Sequence, residues 1–149
     1  MSRKLVSMML STILMAADPK RSPDWVMVGR SMVAIDSLVH NFLHRTGILT
    51  AYAREHPYGQ RCFGAAGCDG VIRDLVARLR EHRLGTESAP PFPRGVQRAI
   101  WRFCAGSELD VCNGRNIDDK QPCQLSWCPL WAKCSRLPLR RAADPETQQ

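Results

Sequence analysis

Four thiols near the end of the chain have the type and spacing to hold a metal. Cys112, Cys123, Cys128 and Cys134 form a Cys-x10-Cys-x4-Cys-x5-Cys array within the stretch CNGRNIDDKQPCQLSWCPLWAKC. Thiolates are soft ligands that suit an iron–sulfur cluster or zinc. Asn113, Gly114, Pro122 and Pro129 interrupt helix and strand here, so the segment has little to hold it without a cross-link. Two disulfides, or ordinary buried cysteines, are the competing readings. Clustered cysteines in a chain of intracellular character read as metal ligands first.

Other side chains could also do chemistry. Lys4 sits at the start of an apolar helical pattern, near the positive end of the helix dipole, which favours its free, nucleophilic amine. Asp36 could hold positive charge on a sugar or move a proton. Taken alone, a lysine and an aspartate are ordinary solvated charges. Asp36, His40 and His44 recur at i, i+4 and i+8. That is a metal-site spacing, but more often a polar helix edge. Arg94, Arg98 and Arg102 share a stripe beside Trp101 that could follow a phosphate backbone, or simply face water. Arg3, next to Lys4, joins this candidate DNA-binding set. His56, Cys62 and Cys68 have no ligand spacing that is recognisable by itself, and burial is the preferred reading for the two thiols.

The elements that must position these groups read as helices throughout. A first helix over Arg3–Ala17 ends before Asp18-Pro19, because the residue before proline disfavours helix. Its Leu5, Met8, Met9 and Ile13 form the expected core face, with Lys4, Ser7 and Ser11 on a polar stripe. PKRSPDWVMVGRS reads as a loop. A second helix lies within Met32–Thr46, with Ile35, Leu38, Val39, Phe42 and Leu43 inward and Gly47 as its stop. EHPYGQRCFGAAGC reads as irregular. Asp69 is expected to cap a third helix, Gly70–Arg83, with Val71, Ile72, Leu75, Val76 and Leu79 inward. A fourth, Arg94–Ala105, buries Val96, Ile100 and Phe103. This divides the chain into a helical segment 1–85, a proline-rich connector 86–93, a helix with the cysteine loop 94–141 and a frayed tail 142–149. No segment has a strand period long enough to build a sheet.

Composition narrows the function classes. A chain of 149 residues suits one domain with a real core. Its formal charge of +7 favours a polyanionic partner, nucleic acid first. No apolar run reaches the roughly 20 residues of a membrane span. Seven cysteines is an odd count, so a pure disulfide framework would leave one thiol over. MSRKLVSMMLSTILMAADP has the outline of a signal peptide, but its polar stripe favours a buried helix instead.

In chain order these pieces resemble a known family. RKLVSMMLSTILMA, AIDSLVHNFLHRTG, AIWRFCAG and a four-cysteine loop ending Cys-x5-Cys are similar to the C-terminal part of the endonuclease III family, the helix-hairpin-helix DNA glycosylases of base-excision repair. The resemblance covers most of residues 3–47 and 99–134. It implies an all-α fold, the C-terminal portion of a helix-hairpin-helix glycosylase with a cysteine-rich metal-cluster loop. It implies Lys4 as the nucleophile that attacks the sugar C1′ of a flipped nucleotide, and Asp36 as the catalytic aspartate. It implies Cys112, Cys123, Cys128 and Cys134 as ligands of a 4Fe–4S cluster, with zinc as the alternative. The expected partner is double-stranded DNA with a damaged base or an abasic site, bound by a monomer in the cytoplasm at the nucleoid.

The chain also departs from the family pattern. The hairpin glycines that grip phosphate are absent, PKRSPDWVMVGRS and HPYGQRCFGAAGC look inserted, and only the final cysteine gap is kept. The expectation is therefore a divergent, truncated glycosylase and abasic-site lyase. Two other classes stand beside it: a non-catalytic DNA-binding module stabilised by zinc or a cluster, and an exported disulfide-rich protein.

Overall fold

Asp36 opens one of the core helices. In the computed structural model, which describes residues 2–82 and 89–140, its carboxylate accepts the Val39 N–H at 3.0 Å. This caps α3, Ser37–Arg45. Val39 and Leu43 are fully buried along α3, Ile35 is fully buried just before it, and Phe42 is nearly so, as their spacing predicts. Gly47, at φ +81°, stops the helix in a left-handed conformation that favours glycine. A short helix, α4 (Ile48–Ala51), follows.

Two further helices complete the core. In α5, Cys68–Glu81, Val71, Ile72 and Val76 are buried, while Leu79 is exposed, contrary to expectation. Asp69 is not its cap. Gly67 holds that position, and Asp69 lies in the first turn, paired with Arg73 at 2.9 Å. The third is α6, Pro93–Cys104, which packs against both α3 and α5. Ile100 and Cys104 of α6 join Ile35, Val39, Leu43, Leu49, Val71 and Ile72 in one apolar cluster. Among the described residues the secondary structure is helical, with no strand, in agreement with an all-α chain.

The N-terminal pair differs most from the sequence reading. Helix α1 spans Arg3–Met15, and PDWVMVGRS, expected as a loop, is a second helix, α2 (Pro23–Ser31). Proline at the first helical position is pre-set for a helix start, and Asp24 in the first turn complements the dipole. The expected core face of α1 also points the wrong way. Leu5, Met8, Met9 and Ile13 are exposed, whereas Ser11 is fully buried.

Small side chains explain that reversal. The Ser11 hydroxyl donates to its own helix at the Met8 carbonyl, 3.0 Å away, so its burial leaves no orphan donor. Gly29 of α2 presses against Leu14 and Met15, where an added Cβ would lie 2.9–3.0 Å from their atoms. The two helices meet where Gly29 admits Leu14 and Met15, while Leu5, Met8, Met9 and Ile13 stay exposed.

Beyond α6, residues 105–140 form neither helix nor strand and are held by polar contacts to the end of α3. The Arg45 guanidinium, buried within α3, donates to Asp119 Oδ1 at 2.5 Å. The Arg45 and Thr46 carbonyls accept from Leu137 and Ser135, and His44 Nε2 donates to the Pro138 carbonyl at 3.0 Å. The expected connector 86–93 is described only from residue 89 on, and the expected tail 142–149 lies outside the described residues.

Replacing Gly29 with valine would press a branched side chain into Leu14 and Met15, an overpacking cost of about 1–3 kcal/mol. We expect loss of amide-exchange protection along α1 with protection of α3 and α6 retained, measured by hydrogen exchange.

Candidate functional site

A cavity of about 430 Å3 opens between α1, α6 and the segment that leads into α3. Lys4, Met8 and Thr12 line it from one face of α1. Ala34 and Asp36 come from the approach to α3. Arg94, Gln97, Arg98 and Trp101 come from one face of α6. The volume falls in the usual range for small-ligand sites, roughly 300–1,000 Å3. Lys4 and Asp36, distant in sequence, thus share one cavity.

The cavity is electropositive, with an ammonium and two guanidinium groups against one carboxylate. Arg94 donates to Gln97 Oε1 at 2.5 Å, and burial and the neighbouring Arg98 push its affinity for a proton below the usual arginine range. Two like charges facing one cavity favour an anion there. Trp101 adds an aromatic wall on which a base or sugar can stack. The expected arginine stripe is split. Arg102 is outside the cavity, paired with Glu108 at 3.2 Å, and Arg3 stacks over the Phe63 ring at 5.8 Å in a separate cleft with Asp69 and Arg73.

Behind α3 lies a second constellation. His40, His56, Cys62 and Cys68 are all buried, and their ligand atoms lie within 4.8 Å of one another. These four side chains could hold a metal ion. His40 Nδ1 is 3.4 Å from Cys68 Sγ and 3.5 Å from Cys62 Sγ, and His56 Nε2 is 3.5 Å from Cys68 Sγ. Burial, then the neighbouring His56 and His44, lowers His40 to a pKa of about 4, so its ring is neutral and can act as a ligand. Burial and the adjacent Cys62 push the Cys68 thiol well up.

The sequence reading missed this set. It placed His40 in a stripe with Asp36 and His44, and left Cys62 and Cys68 as buried thiols. The structure divides that stripe: Asp36 caps α3, His44 bonds to Pro138, and His40 alone meets the thiols. The signal in the sequence was the His-x5-Cys-x5-Cys run of His56, Cys62 and Cys68, which says nothing of His40.

The array Cys112, Cys123, Cys128 and Cys134 lines a third site, a pocket walled by Phe42, Phe103, Val111, Ile117, Leu125 and Leu130. All seven cysteines are free thiols. The four array thiols are not drawn together as tightly as the His–Cys group, but they do interact: burial pushes Cys134 up, and Cys112, Cys123 and Cys128 add to the rise. A fifth thiol takes part. Cys104, fully buried at the end of α6, donates to Cys112, lowering Cys112 and raising itself; Arg45 further lowers Cys112.

Arg45 lines the same pocket, and its Nε and Nη1 are buried without a hydrogen-bond partner. An orphaned cationic edge beside four thiols matches the negative charge that four thiolates bring to a metal centre. Comparison with known protein families, with curated proteins and with solved structures gives no match.

The split of the arginine stripe separates three otherwise similar substitutions. If the polyanionic partner is duplex DNA, Arg94→Gln and Arg98→Gln should each weaken its binding and reduce the log–log salt slope by about 0.9. Arg102→Gln should change the slope much less, because Glu108 already neutralises that side chain. Fluorescence anisotropy over a salt series measures all three.

Proposed function

We propose that this protein acts on DNA as a glycosylase and abasic-site lyase of base-excision repair, with Lys4 as nucleophile and Asp36 as its acid–base partner. The observation that carries the reading is the shared cavity, in which an amine and a carboxylate from different elements face one space beside Arg94, Arg98 and Trp101. A formal charge of +7 supports a polyanionic partner.

The chemistry follows from the groups present. Arg94 and Arg98 hold phosphates that flank an extruded nucleotide, and Trp101 stacks on it. The Lys4 amine attacks C1′ and displaces the damaged base; the base departs with the C1′–N electron pair and takes up a proton. The Asp36 carboxylate faces the positive charge that develops on the sugar. At an existing abasic site, the amine adds to the C1′ aldehyde and loses water to give a Schiff base. Removal of a C2′ proton by Asp36 then expels the 3′ phosphate with the C3′–O electron pair. The carboxylate is positioned for this work by its bond to the Val39 N–H, which fixes it at the head of α3.

Cys112, Cys123, Cys128 and Cys134 are proposed to hold a 4Fe–4S cluster. Their pocket is apolar and is faced by the orphaned edge of Arg45. When bound, the cluster supplies a cross-link for the loop and a redox-active centre. Arg45 offsets the ligands' charge, and the Cys104 thiol donates to Cys112.

Borohydride should trap the protein on DNA that carries an abasic site, and Lys4→Ala should abolish the adduct. Asp36→Asn separates catalysis from capping. Asparagine caps helices as well as aspartate does. Stability should therefore hold within a few tenths of a kcal/mol, while strand cleavage falls by roughly 10²–10⁴-fold, the usual share of a general acid–base group. Undiminished trapping by Lys4→Ala would remove Lys4 from the mechanism and leave a non-catalytic DNA-binding module.

Anaerobically purified protein should be brown, with about four irons and four sulfides per chain. Substituting the array cysteines with serine should bleach it. Colourless, folded wild-type protein that cannot be reconstituted with iron and sulfide would exclude the cluster.

A further inference from the structure

We propose that His40, His56, Cys62 and Cys68 form a closed structural zinc site, separate from the cysteine array and independent of the DNA chemistry. Distances first point to one central ion. Zn–S bonds of about 2.3 Å and Zn–N bonds of about 2.0–2.1 Å place neighbouring sulfur and nitrogen ligands about 3.5 Å apart on a tetrahedron. The three nitrogen–sulfur separations are 3.4, 3.5 and 3.5 Å.

Hydrogen bonds alone account for this set poorly. His40 Nδ1 lies against both sulfurs, yet a neutral ring nitrogen has one lone pair and cannot accept two thiol protons well. A cation at the centre accepts all four donors at once.

The surroundings orient the ligands. His56 Nδ1 donates to the Arg54 carbonyl at 2.7 Å, which leaves Nε2 without a proton and aimed at Cys68. A second bond of this kind is typical of metal-bound histidine. The Gly59 N–H donates to Cys62 Sγ at 3.5 Å. Around the two cysteines the chain packs so tightly that a Cβ on Gly67 would overlap the Arg61 carbonyl, and one on Gly70 the Ala65 carbonyl.

Burial sets the role. All four ligands come from the protein and all are buried, so no coordination position opens to water or substrate. Such a site is structural rather than catalytic. Two thiolates and two neutral imidazoles favour zinc over the hard, oxygen-seeking cations. The ion would tie residues 52–67 to His40 on α3 and Cys68 at the start of α5.

Metal analysis of the full chain, with zinc and iron counted separately, tests the assignment. Wild type reconstituted with zinc should carry one tightly held zinc with two sulfur and two nitrogen neighbours by X-ray absorption. Replacing Cys112, Cys123, Cys128 and Cys134 with serine should leave that zinc in place, whatever becomes of iron. Cys62→Ser with Cys68→Ser should remove it. If that double variant does not fold, the absorption spectrum of wild type decides. A shell of four sulfurs would put the zinc in the array and overturn the proposal, as would folded wild type that retains no zinc.

Discussion

The structure depends on the rotational setting of one short helix. The nine residues Ser37–Arg45 span only about 13–14 Å, yet with their cap Asp36 they face three candidate centres. Asp36 caps the helix and faces the Lys4 cavity. His40, one turn on, meets Cys62 and Cys68. Arg45, at the end, enters the pocket of the four-cysteine array. Val39 and Leu43, fully buried, hold the helix in that orientation. A slip of one residue would turn it by about 100° and misdirect all three side chains together. Core packing and site geometry are therefore the same constraint here.

That arrangement places polar groups where an ordinary core would have none. A buried cation or thiolate is costly unless it is paired, and the pairing must come from distant parts of the chain. Asp119 meets one edge of Arg45. Burial raises Cys68 and Cys134, and the bond to Cys112 does most to raise Cys104, so each tends to keep its proton in the absence of a cation. A metal held by Cys68 or Cys134 would displace that thiol's proton, so its binding would weaken as pH falls, whereas Cys104 keeps its proton for Cys112. Such a metal would also contribute to folding, since both cysteine-bearing stretches are poor in regular structure.

The parts of this design that were legible in the sequence are those set by local spacing. The inward stripe Ile35, Val39, Phe42 and Leu43 and the stop at Gly47 follow from helical period and glycine chemistry. What failed depended on neighbours. Gly29 lies in the stretch PKRSPDWVMVGRS, which reads as a loop, but it is a contact surface inside α2. Arg102 matched Arg94 and Arg98 in spacing, but a chain reversal after α6 brings Glu108 against it. His40 lay in a plausible stripe with Asp36 and His44, and nothing local could reveal that Cys62 and Cys68 would fold back onto it. Long-range pairing, not propensity, separated those outcomes.

The reversal of α1 bears on function. By hydrophobic pattern, Leu5, Met8, Met9 and Ile13 should face inward; instead all four are exposed, while Ser11 of the polar stripe is fully buried and Lys4 and Ser7 are half-buried. Local rules are broken most often where a site requires it. Here the α1 face of Lys4, Met8 and Thr12 lines the cavity, while Ser7 lines the separate cleft with Arg3. Met8 and Thr12 extend the same wall, and Trp101 stands on α6 as an aromatic surface beside the amine. A lysine fixed on a helix loses less freedom on reaching a bound group than one on a loop, and the closeness of α1 and α2 at Gly29 holds that helix in place. The exposed methionines and leucines outside and the amine inside are two consequences of one choice: a helix oriented by what its polar face must reach.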